Sequence, residues 1–69
     1  MSDLNKKFGQ RLKEVRESRG LSQEKLGDLI DLTEDSVGNM ERGKHWPRLK
    51  TLEKILKVLK VKPKDLFDF

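Results

Sequence analysis

Apolar positions recur along this chain at three- and four-residue intervals, the spacing of one face of an α-helix. Phe8, Leu12 and Val15 follow i, i+4, i+7 and predict a first amphipathic helix ending near Arg19-Gly20. Leu26, Leu29 and Ile30 form the stripe of a second helix. Ser22 opens it, because a serine hydroxyl can accept from the orphan N–H groups of a first turn. Asp31-Leu32 breaks the pattern, and Thr33 is placed to cap a third helix running to Met40 or Glu41. On that helix Leu32, Val37 and Met40 face inward, while Glu34, Asp35, Gly38 and Asn39 fan outward; Gly43 supplies the stop. Leu49, Leu52, Ile55, Leu56 and Leu59 define a fourth helix with Lys50, Lys54, Lys57 and Lys60 on its outer side. Pro63 opens a short fifth helix carrying Leu66 and Phe67. Residues 1–5 are expected to form a frayed end. The pattern therefore predicts an all-α fold of five helices in one domain, residues 1–69, with a helix-turn-helix over 22–41 at its centre.

Side-chain size sharpens this reading. Gly27 lies in mid-helix, where glycine costs ~1 kcal/mol relative to alanine. Close approach of the following helix is the feature expected to offset that cost. The third helix is short and polar on its outer side, which suits it to meet solvent or a ligand.

Composition sets bounds on function. The 69 residues allow one domain, near the lower size limit for folding without staples. Cysteine is absent, so neither disulfides nor thiolate metal sites are available, in keeping with a reducing cytoplasm. No apolar run reaches membrane-spanning length, and the N-terminus has no apolar signal-peptide core. One histidine in a polar loop and no tyrosine leave no nucleophile–base pair and no metal cluster to assemble, so an enzyme, a cofactor and a small-molecule substrate are not expected. Net charge is +4, compatible with an anionic partner. Its distribution says more: residues 1–20 carry six basic and three acidic side chains, residues 21–40 one and five, residues 41–64 nine and two. Basic charge flanks the central motif, as it would if the flanks gripped phosphates while the middle read bases.

The fragments FGQRLKEVRESRG, LSQEKLGDLI, LTEDSVGNMERGK, PRLKTLEKILKVLKV and PKDLF, in this order and at these separations, resemble the lambda-repressor and Cro type of helix-turn-helix regulator, often called the xenobiotic-response-element family. The likeness covers roughly residues 8–67. It implies a double-stranded DNA-binding transcriptional regulator, expected to be a repressor, cytoplasmic and nucleoid-associated when bound. In this geometry the second motif helix enters the major groove and its neighbours grip the backbone. The base readers are then Glu34, Asp35 and Asn39, with Thr33 beside them. Asn39 can bond adenine bidentately, and either acid can accept from the cytosine amino group. The same two acids also gain ~0.3–1 kcal/mol from the dipole of their helix. The family implies that Gln23 clamps a phosphate, assisted by Ser22 and the N–H groups of that helix start. Ser36 is expected near phosphates or flanking bases and Arg42 at a phosphate; in the family the loop of Lys44, His45 and Arg48 follows the DNA backbone, with the minor groove an alternative for Arg48, and Arg16 pairs with Glu41 to tie the first helix to the end of the third. Trp46 is expected as a lid over the fourth helix.

Four departures from the family pattern stand out. Asp31 occupies the turn usually held by glycine, and the position needs φ > 0. Gly38 stands where a polar or basic side chain is common, Glu34 and Asp35 turn negative charge toward a polyanion, and Arg48 replaces the usual serine or threonine cap. One motif reads only a few base pairs, so a homodimer on paired half-sites is implied; Leu66, Phe67 and Phe69 are the apolar candidates for its contact patch. The rival function is a protein-interaction or antitoxin module that keeps the fold and presents its acidic helix to a protein partner.

Overall fold

A computed structural model describes residues 2–69. Five helices follow in order: α1 (Ser2–Ser18), α2 (Gln23–Ile30), α3 (Glu34–Glu41), α4 (Leu49–Leu59) and α5 (Pro63–Leu66), with no strand among the described residues. Met1 lies outside them. The frayed end expected through residue 5 is corrected: α1 already begins at Ser2. No proline or glycine interrupts the chain before Gly9, so the turn propagates back from the packed Phe8.

The core gathers one face from every helix: Phe8, Leu12 and Val15 of α1, Leu26 and Ile30 of α2, Val37 and Met40 of α3, Ile55 and Leu59 of α4, and Leu66 of α5. Two expected stripe members fall outside it. Leu29 is 43% exposed and Leu49 75% exposed. On α2 the contact face is narrowed to Leu26, Gly27 and Ile30, because α3 approaches closely at the glycine. Leu49 is the first residue of α4, ahead of the turn that reaches the core.

The caps follow the sequence. Ser22 Oγ accepts from the Lys25 N–H at 3.0 Å, and Thr33 Oγ1 from the Ser36 N–H at 3.1 Å. Arg48 occupies the N-cap of α4 without a side-chain capping bond. Asp31 ends α2 in the left-handed region (φ 62°), and its carboxylate accepts from Lys54 Nζ at 2.8 Å, fastening the turn to α4. That hydrogen bond, with the lysine charge behind it, holds the Asp31 carboxyl below its ordinary range. A β-carbon on Gly27 would lie 2.6 Å from the Leu32 carbonyl oxygen and 3.2 Å from the Thr33 carbonyl. The offsetting contact is thus with the backbone that starts α3, and it fixes the angle between the two motif helices. Gly9 performs the same service on α1, where an added methyl would sit 2.8 Å from the Glu41 carbonyl carbon.

Two arginines of α1 complete the frame. Arg11 Nε donates to the Asp65 carbonyl at 2.6 Å, and Arg19 Nε to the Leu59 carbonyl at 2.7 Å. Each satisfies a helix-end acceptor and adds a cation where the dipole favours one.

Candidate nucleic-acid interface

The outer side of α3 is held from both ends. At its start Thr33 Oγ1 accepts from the Ser36 N–H and donates to Ser36 Oγ at 3.1 Å. Its hydroxyl is therefore engaged within the first turn, and the Ser36 hydroxyl hydrogen is left to give outward. Glu34 and Asp35 stand exposed beside it. At its end Glu41 is the hub of a buried network. Arg16 grips the carboxylate with two bonds, Nε to Oε2 at 2.6 Å and Nη2 to Oε1 at 3.1 Å, and Arg16 Nη1 donates to the Leu21 carbonyl at 2.7 Å. The hydrogen bond to Glu41 raises the Arg16 pKa further, against the opposing effect of burial. Both residues are less than a tenth exposed, 6% and 7%. The pair expected from the sequence is thus present, and it is a buried one.

Gln23 joins this network. Its Nε2 donates to Glu41 Oε1 at 2.9 Å, which sets the amide's orientation and leaves the second hydrogen to donate elsewhere. Gln23 and Glu41 line an open cleft of about 600 Å³ with Lys6, Gln10, Lys13 and Arg42. The three α1 residues had not been singled out from the sequence. Their i, i+4, i+7 spacing was the available signal, because it puts them on one face of α1.

Gly38 does not fan outward as expected; it is buried. The side chains of Arg42 and Gln23 fold over it, with Arg42 Nη1 3.1 Å and Gln23 Nε2 3.6 Å from where a β-carbon would stand. Arg42 Nη2 meanwhile donates to Asn39 Oδ1 at 2.7 Å. The remaining backbone-gripping candidates lie after α3, where Gly43 (φ 78°) and the Lys44 N–H bond to the Asn39 carbonyl close the helix. Lys44, His45 and Arg48 are exposed on this loop. His45 and Arg48 share with Ser36 the rim of a small cleft of about 160 Å³ along the Ser36–Met40 side of α3.

Trp46 lines the same cleft and joins it to an aromatic stack. Trp46 lies 4.8 Å from Phe8 and 5.9 Å from Phe67, ring centre to ring centre, so it stacks on α1 and on the residue that ends α5. Phe67 stacks on Phe8 at 5.2 Å, and Phe69 leans on Phe67 at 6.4 Å. Leu66 is corrected: it is fully buried in the core and takes no part in a surface patch. Phe67 and Phe69 remain 38% and 50% exposed.

A short α2, a left-handed turn, and an α3 braced by a buried arginine–glutamate pair define a helix-turn-helix, and the HTH_3 helix-turn-helix profile matches residues 12–66. The chain belongs to this family. It is a Cro-type helix-turn-helix regulator and not an enzyme. Control protein C.BamHI of Bacillus amyloliquefaciens is 44% identical over 63 residues, covering 90% of this chain and 78% of that protein. The regulator PuuR of Escherichia coli is 37% identical over 67 residues, 97% of this chain but only 36% of PuuR, so this chain spans about a third of that relative. Among solved structures, the restriction-modification controller protein C.AhdI from Aeromonas hydrophila superposes with a TM-score of 0.85 at 43% identity, covering 97% of this chain and all of the other. No helix among the described residues is long and apolar enough to cross a membrane.

Proposed function

We propose that the protein is a sequence-specific regulator that inserts α3 into the major groove of double-stranded DNA. The observation that carries this reading is the pinning of α3 at both ends. A rigid helix with exposed polar residues is what direct readout of base edges requires. Asn39 with Glu34 and Asp35 faces the bases, and Thr33 stands at the helix entrance. Gln23, aimed by Glu41, grips a phosphate beside Ser22. Ser36, Lys44, His45 and Arg48 follow the backbone, with Arg42 beside them at the end of α3.

The protein acts as a homodimer on a two-fold operator, its half-sites about 34–36 Å apart. Phe67 and Phe69, exposed beside the Phe8–Trp46 stack, supply the self-complementary patch. Occupancy alone suffices for repression, the regulatory mode we assign. The likeness to control proteins of restriction-modification systems supports a role of that kind.

Selection of bound fragments from random duplexes tests the reading, and a palindrome is expected to emerge. On the selected duplex, affinity should fall steeply with salt as counterions return to the phosphates. Asn39→Ala should lose ~1–3 kcal/mol of discrimination at one base pair, whereas Lys44→Ala should weaken all duplexes alike. Enrichment of no sequence, with retention of a protein partner through Glu34 and Asp35, would instead favour the interaction module.

A further inference from the structure

Asn39 is suited to adenine because its amide offers an acceptor and a donor side by side, matching the adenine N6 amino group and N7. In this structure one of that acceptor's two lone pairs is already taken. Arg42 reaches back one turn along α3 and donates to Asn39 Oδ1 at 2.7 Å. Gly38 makes that reach feasible: any side chain there would begin 3.1 Å from Arg42 Nη1 and 3.7 Å from Cζ, in the space the guanidinium uses. What the pair offers outward is then mostly N–H, from Asn39 Nδ2 and from the unspent guanidinium hydrogens, against the single lone pair left on Oδ1. The base edge that presents two acceptors in the major groove is guanine, through N7 and O6.

We propose that Asn39 and Arg42 form one guanine-reading unit, with Gly38 as the gap that admits the arginine. The place of Gly38, where a polar or basic side chain is common in the family, is thereby filled by a side chain from the following turn. This inference rests on the proposal that α3 lies in the major groove.

The test repeats the random-duplex selection with the wild type, Arg42→Ala and Gly38→Val. Arg42 is exposed, and a thermal unfolding midpoint near the wild type's will show that its variant is folded. The wild type should select guanine at one position of each half-site. At that position Arg42→Ala, with the Asn39 acceptor set free, should turn the preference toward adenine by roughly ten-fold. Gly38→Val, which fills the arginine's place while keeping its charge, should move the preference the same way. If Arg42→Ala lowers affinity for every duplex equally and leaves the selected half-site unchanged, Arg42 is a phosphate contact and the unit is refuted. Adenine already selected by the wild type at that position would refute it too. A wild type that enriches no half-site overturns the proposed function itself, and the unit falls with it.

Discussion

Glu41 shows how much one side chain organises here. Its carboxylate takes two bonds from Arg16 and one from Gln23, joining α1, α2 and α3 at a single buried point. Removing one partner of a buried ion pair leaves the other charge without compensation, at a cost of about 3–5 kcal/mol. Glu41→Ala should therefore lose stability of that order in urea titration. An apolar pair in its place is often neutral, so Arg16→Met with Glu41→Leu should recover most of the loss. Duplex affinity should not recover with it, because Gln23 would have lost the group that aims its amide. A double variant restored in both respects would reduce the pair to a stability element with no role in positioning.

At the scale of elements, two glycines on neighbouring helices should respond oppositely to the same substitution. A methyl on Gly27 meets the backbone of Leu32 and Thr33, which cannot yield without reopening the turn. Overpacking of this kind costs typically ~1–3 kcal/mol, more than the ~1 kcal/mol that alanine returns in helix propensity. Gly38→Ala meets only the ends of two flexible side chains, Arg42 and Gln23, so the propensity gain should dominate and the midpoint should rise. Thermal unfolding of the two variants side by side checks both signs. The helices themselves were legible in the sequence, since period and caps act locally: Ser22, Thr33 and the left-handed Asp31 all stand as read. Leu29 and Leu49 were misjudged because periodicity gives the direction of a face but not its width. Lys60, in the left-handed region at the end of α4 (φ 58°), carried no signal, since lysine has no preference for that conformation.

For the whole molecule, what the sequence did not disclose lies between elements. The bonds of Gln23 to Glu41, of Arg42 to Asn39, and of Arg11 and Arg19 to helix-end carbonyls depend on which rotamer a long side chain adopts after the helices have packed. Spacing along the chain contains no such information. The assembled surface nonetheless has a clear division. Lys6 and Lys13 of α1 and the basic residues of the loop after α3 flank an acidic and amide-bearing α3, and the aromatic stack runs from Trp46 of that loop to Phe8 and Phe67. The most direct test of this division is to follow backbone amide chemical shifts by NMR while the selected duplex is titrated in. The largest changes are expected over residues 33–39 and 42–48 and at the start of α2 around Gln23, with the interior of α4 unmoved. Shifts confined to α4 and α5 while α3 stays silent would contradict the account.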